Sequence, residues 1–273
     1  MGASRRLTRA GGRALLAAVT APAPFSDADR AAAMAAIVAG DDVPTVWDAF
    51  AEAMSACGFP RLLYGCLPSP NAGTSIDLSE ALMLHRGPTA FLDAYLDEEL
   101  YRHSPMVDWS MRHDGFASNE EAVRDMTLVP SPQLMRIAQL RMEYQSGLGW
   151  IGGFRDVVPG VIGGIALHAP AGTEADAVRA AWARHGRAVA ALARAAHLRL
   201  ATLPHPVRRP LSSRQREVLD WASRGKSMQD TGTILGLSEQ TVEKHLRLAR
   251  EALNAANTAE AVRKALRHNL LHA

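Results

Sequence analysis

The most conspicuous residues with chemistry to offer lie between Glu239 and Leu253 of the 273-residue sequence. Val242, Leu246, Ala249 and Leu253 recur there at i, i+4, i+7 and i+11, which predicts a helix with one buried stripe. Gln240, Thr241, Glu243, Lys244 and Arg247 then fall on its outer side, with Arg250 further along. Amide, hydroxyl, carboxylate and guanidinium groups so arranged match the donors and acceptors of base edges in a groove about 12 Å wide. Taken singly, each cation equally suits a solvated helix face. Enzyme chemistry is not indicated. The sequence has no G-x-S-x-G, no metal-ligand cluster and no glycine-rich phosphate loop. Gly147, Gly149, Gly152, Gly153, Gly160, Gly163 and Gly164 are spaced for hairpin turns and close strand packing. His103, Asp108, His113 and Asp114 read as surface residues around a turn. No catalytic residue, metal or cofactor is therefore expected.

The elements that must hold the 239–253 helix are written around it. Ser212 and Gln215 form a capping box, Val218, Leu219 and Ala222 face inward, and Gly225 closes a first helix. Ser227 caps a second helix through Leu235, Gly236-Leu237 makes a tight turn, and Ser238 caps the third. Asn257-Thr258 starts a fourth, carrying Val262, Leu266 and Leu270. Two short helices joined by a glycine turn, the second rich in outward cations, are the pattern of a helix-turn-helix. Charge agrees: from His205 onward there are 12 Lys and Arg against 7 Asp and Glu, whereas the preceding residues carry 18 against 21. A basic tail on a mildly acidic body points to a polyanionic partner.

LSSRQREVLDWASRGKS…ILGLSEQTVEKHLRLAREAL…AEAVRKAL resembles the DNA-binding domain of the LuxR family of bacterial transcription regulators. The resemblance covers almost all of 211–271. It implies double-stranded DNA as partner, with Thr241, Glu243, Lys244 and Arg247 at the family's contact positions and Lys226, Ser238 and Gln240 beside them. Arg247 is assigned to a guanine, Glu243 to a cytosine amine, and Lys244 and Lys226 to phosphates. His245 is assigned to packing or a phosphate. Three residues depart from the family pattern: Gly232 for Ala, Leu248 for Asn and Asn269 for Gly. The first is expected to loosen the second helix by at most about 1 kcal/mol.

Upstream, Pro204, Pro206 and Pro210 break regular structure and mark a linker at 201–210 between domains at 41–200 and 211–273. Residues 1–40 read as an extension ending in a helix, Asp27 to Ala39. Ser4-Arg5-Arg6-Leu7-Thr8 and the following Ala14–Val19 run fit a twin-arginine export leader, but are read here as a basic tail. The 41–200 region predicts helices at 45–57, 91–101, 132–145 and 173–200. Strands fall at 61–67, 81–85, 149–157 and 161–168, with turns at 70–73 and Pro159-Gly160. This is an α+β order: an antiparallel sheet with helices on its faces, followed by an all-α four-helix unit. Cys57 and Cys66 form no disulfide framework, no run is apolar enough to span a membrane, and a cytoplasmic, nucleoid-associated protein is expected.

Phe91-x-x-x-Tyr95, Ser104-Pro105-Met106-Val107 and Phe116 are similar in spacing to the autoinducer-binding domain of the family's quorum-sensing branch. That resemblance implies an α-β-α sandwich, a homodimer on a palindromic promoter site, contact with RNA polymerase, and an acyl-homoserine lactone-like signal. In that branch a Trp at position 91 donates to the lactone carbonyl and an Asp at 104 accepts from the ligand amide. Phe91 has no donor, and Ser104 accepts without charge. Each unpaired ligand group costs about 1–3 kcal/mol. The expected ligand is therefore an atypical acyl-homoserine lactone or another small signal, in a reshaped pocket of Tyr64, Phe91, Tyr95, Ser104, Val107, Trp109 and Phe116, with Trp150 as a further lining residue. The alternative is a ligand-independent regulator whose front domain, its core filled, only dimerises.

Overall fold

The computed structural model describes residues 25–68, 81–125, 130–144, 147–205 and 209–271. The basic tail before residue 25 and the turn at 70–73 lie outside these. In the front domain, β1 (Arg61–Pro68), β2 (Leu82–Arg86), β3 (Gly115–Ser118), β4 (Gly149–Val158) and β5 (Val161–His168) form one antiparallel sheet in the order β2-β1-β5-β4-β3. Central β5 pairs with β1 from Arg61↔His168 to Pro68↔Val161. It meets β4 in a tight hairpin closed by Val158↔Val161, where Gly160 takes the φ of +72° that the turn requires.

Alternation along β1 sorts its side chains to two faces. Leu62, Tyr64 and Cys66 are buried in the main core with α1 (Asp27–Ala39), α2 (Val43–Ala56) and α7 (Ala175–Thr202). Leu63, Gly65 and Leu67 turn the other way, towards the layer of α3 (Ala90–Asp97), α4 (Pro105–Arg112), α5 (Asn119–Arg124) and α6 (Pro132–Glu143). The result is an α-β-α sandwich. α1, assigned from sequence to the extension, buries Ile37 completely and is a packed member of the first layer.

Between 98 and 125 the chain differs from the single helix and loop expected. Glu99 enters the left-handed region at φ +50°, a 3-10 turn spans Leu100–His103, and Pro105 opens α4. Ser104-Pro105 stops the preceding helical run, because the residue before proline avoids the α region. It is also a start, since proline fits the first helical position, where its missing N–H is not needed. β3 and α5 follow, joined by a Ser118–Glu121 capping box. The α7 start also moves: Thr173 donates its hydroxyl to Pro170 O at 2.8 Å instead of capping, and the helix begins at Ala175.

The C-terminal unit has α8 (Ser213–Ser223), α9 (Met228–Leu235), α10 (Glu239–Ala252) and α11 (Thr258–Arg267). Val218, Leu219, Val242, Leu246, Ala249, Ala261 and Ala265 are its buried centre. Ser212, Ser227 and Ser238 each accept a backbone N–H as N-caps, and Gly236 closes α9 at φ +67°. Gly232 lies within α9, where the turn into α10 leaves no room for a side chain. A Cβ there would stand 2.7 Å from Leu237 O, so the turn into α10 closes down on it.

Candidate functional site

A cavity of about 350 Å³ lies between the sheet and the α3–α6 layer. Its floor is Leu63, Gly65 and Leu67 of β1, Ile151 of β4, and Ile162, Gly164 and Ala166 of β5. Its walls are Phe91 and Tyr95 of α3, Met106, Val107 and Ser110 of α4, and Leu134, Ile137 and Ala138 of α6. Glycines on the strands let the α4 wall come close: a Cβ on Gly164 would sit 2.6 Å from Ser110 Oγ. The lining is overwhelmingly apolar, with a few polar groups. Tyr95, Ser104, Arg141 and His168 reach it from four different elements.

Burial pushes the Tyr95 phenol up to about 12, with the Ser104 hydroxyl and the Arg141 charge pulling it partly back. Ser104 opens α4 but makes no side-chain cap bond, so its hydroxyl is not spent on the helix. Burial, reinforced by the Arg141 and Arg61 charges, holds the His168 imidazole down at about 3. It is neutral at physiological pH, and Asn119 Nδ2 is 3.3 Å from its Nε2.

Phe91, Tyr95, Ser104 and Val107 thus line the cavity, and three expected residues do not. Tyr64 points through the sheet to the opposite core, with its hydroxyl 2.9 Å from His197 Nδ1. Phe116 packs there too, against Phe154 and Trp182, and Trp150 stacks on Trp182 at 3.9 Å. The reason is strand parity: one residue's shift along a strand changes face. Trp109 is buried in a separate cluster with Ala117, Ala122 and Ile151, its ring stacked on His113 at 4.5 Å. His113 is further tied through Nδ1 to Trp109 O, while Asp108 pairs with Arg112 and Asp114 with Arg194.

Sequence reasoning missed Arg141 and His168. A signal for the first existed: Leu134, Ile137, Ala138 and Arg141 occupy i, i+3, i+4 and i+7, so the cation sits on the apolar stripe of α6. Nothing comparable marks His168, the last residue of β5.

In the second unit, α10 exposes Gln240, Lys244 and Arg247, and Lys226 is exposed in the loop after α8. Ser238 and Thr241 use their hydroxyls at the α10 cap, Oγ to Oγ1 2.8 Å. Glu243 is held by Arg250 at 2.8 Å, and Arg250 also donates to Thr258 Oγ1. Arg247 pairs with Glu251 across one exposed turn at 2.6 Å, a bond solvent makes cheap to exchange.

An exposed, cation-bearing helix of a helix-turn-helix, joined to a sandwich with an apolar cavity, defines a class: the DNA-binding regulator with a small-molecule-binding front domain. The family comparisons agree with it. The autoinducer binding domain matches residues 42–200, and the domain of bacterial regulatory proteins of the luxR family matches 209–265. The chain belongs to the LuxR family of quorum-sensing transcriptional regulators. It is 29% identical over 233 residues to the transcriptional activator protein BjaR1 of Bradyrhizobium diazoefficiens, covering 84% of this chain and 90% of that one. The HTH-type quorum sensing-dependent transcriptional regulator RpaR of Rhodopseudomonas palustris is similar to the same extent, 29% identical with the same coverage. The fold is also that of SdiA in complex with octanoyl-rac-glycerol, with a TM-score of 0.51 and 15% identity over 89% of this chain and 96% of that one. Among the described residues no helix is long and apolar enough to cross a membrane.

Proposed function

We propose that this regulator is a homodimer that binds a palindromic promoter site in response to a small signal held in the front-domain cavity, and that it acts there through RNA polymerase. The cavity carries the reading. A front domain that only dimerises needs no such pocket, whereas about 350 Å³ lined by apolar side chains with a few convergent polar groups is the form a small-molecule site takes. Two recognition helices related by a dimer axis would meet half-sites about one helical turn apart, which is why a palindrome is expected.

The test is thermal. A ligand that binds only the folded protein raises its stability by about 2.7 kcal/mol at a hundredfold excess over Kd. One acyl- or aroyl-homoserine lactone or derivative that raises the melting temperature and changes affinity for promoter DNA supports the reading. A folded, DNA-binding protein that shifts with no small molecule favours the ligand-independent alternative.

For the DNA, Arg247 is assigned to a guanine, with Gln240 and Lys244 beside it on the exposed face. Arg247→Ala is expected to cost about 1–3 kcal/mol of specific binding and to relax preference at one base pair per half-site. Selection from a randomised duplex pool reads this directly, and an unchanged site preference would overturn the assignment.

A further inference from the structure

We infer that the molecule the cavity takes is an anion, an apolar-tailed monocarboxylate, and that Arg141 holds its carboxylate. The inference rests on the reading of the cavity as the signal site, and deepens it by naming the ligand's chemistry.

The charge balance of the lining carries the argument. Among its described residues there is no Asp or Glu, and Arg141 is the one formal charge. Two arginines of α6 show the contrast. Arg136, on the outer side, forks onto both oxygens of Glu98, with Nε 2.9 Å from Oε2 and Nη2 2.7 Å from Oε1. Arg141 lies on the cavity side among Leu134, Ile137 and Ala138, and among the described residues no carboxylate acts on its charge. The C-terminal end of α6 offers it only partial negative charge. A guanidinium keeps its charge at any physiological pH, and a half-buried one facing an apolar lining without a counterion is incompletely compensated. Burial indeed pulls the Arg141 pKa down from its ordinary value.

A carboxylate answers this geometry, because the planar fork of guanidinium donors accepts it with two parallel bonds. A neutral lactone or amide offers carbonyl oxygens but no countercharge. His168 is neutral at physiological pH and adds no second charge, and the Tyr95 and Ser104 hydroxyls stand beside the same polar end. The rest of the lining, overwhelmingly apolar, takes the tail. Its size, near the lower end of small-molecule sites, fits one short or medium-chain molecule.

The test uses matched pairs that differ by one charge: N-acyl-L-homoserine, its ring open and its carboxylate free, against the corresponding lactone, over acyl chains of about four to ten carbons. Titration calorimetry on the full chain is expected to show at least one open-ring compound binding tenfold or more tighter than its lactone. Arg141→Met should lose tenfold or more for the carboxylate and leave the lactone unchanged, while Arg141→Lys keeps the preference for the carboxylate with weaker binding. Without ligand, Arg141→Met should melt no lower than the parent, since an unpaired charge is replaced by an apolar chain of similar length. A lower melting temperature would show that the charge has a structural partner inside the chain, and would overturn the inference. A lactone that binds as tightly as its open form, or tighter, sinks the anion and leaves the receptor reading standing. If no member of any pair binds while promoter binding persists, both readings fail for this class of compound.

Discussion

His197 is fully buried between α7 and the sheet, stacked on Phe154 at 4.8 Å, with Tyr64 Oη 2.9 Å from its Nδ1 and no partner for Nε2. Gly163 makes that position available, since a Cβ there would stand 2.5 Å from the imidazole. Burial, helped by the Arg194 charge and opposed by Asp114, lowers its pKa to about 4 from 6.5. The folded state therefore binds the proton less readily than the unfolded chain. Its stability contribution is complete above pH 6.5 and falls progressively as pH drops to about 4. The full loss is on the order of 3 kcal/mol. Urea unfolding of His197→Gln at pH 7 and pH 4.5 should show a shallower loss than the parent; equal losses would move the effect to another group. This residue was invisible in the sequence, where a histidine in a helix carries no mark of depth. Tyr64 was visible but assigned to the wrong face, because aromatic character says nothing of strand parity.

At the scale of elements, α4 decides whether the cavity exists. It carries Met106, Val107 and Ser110, and lies close against β4 and β5 because Gly153 and Gly164 have no side chains to hold it off. Gly164→Val should push α4 from the sheet, at a cost of about 1–3 kcal/mol for overpacking. It should abolish the ligand-induced rise in melting temperature while leaving the helical content of α8–α11 intact. Circular dichroism with thermal shift reads both, and a retained ligand response would show that α4 is not the wall assigned here. α4 itself was not legible in sequence, nor were β3 and α5. They are four to eight residues long, too short for a period to show, and their boundaries depend on packing. The second unit was legible almost throughout. Serine caps at 212, 227 and 238 and a left-handed Gly236 are local chemistry, written in adjacent residues and needing no tertiary partner to be recognised. The cavity was half legible for the same reason: Phe91, Tyr95, Ser104 and Val107 lie within one short stretch, whereas Arg141 and His168 join them only through the fold.

Across the whole molecule, the proposed function requires a signal in one domain to alter the other, and Asn269 stands at the joint. It follows the end of α11 in the left-handed region, φ +53°, which is why a glycine suits the position. An asparagine tolerates the same backbone and adds a side chain. Its Nδ2 donates to Ala201 O and Leu203 O, 2.9 Å each, at the end of α7. His205 N donates to His268 O at 2.8 Å alongside. The end of α7 and the residue after Pro204 are thus tied to the end of the DNA-binding unit. Asn269→Gly keeps the backbone and deletes two bonds, each worth about 0.5–1.5 kcal/mol net. Neither the cavity nor α10 is touched, so ligand affinity and the intrinsic affinity of the isolated recognition surface should persist. What should weaken is the coupling, which is a free energy shared between the two sites and bounded by the contacts that join them. Differential scanning calorimetry is expected to show the two domains melting further apart than in the parent chain. The factor by which ligand changes DNA affinity should shrink by up to about tenfold, the equivalent of roughly 1.4 kcal/mol. Unchanged transitions together with an unchanged factor would mean that the signal travels by another route than this joint.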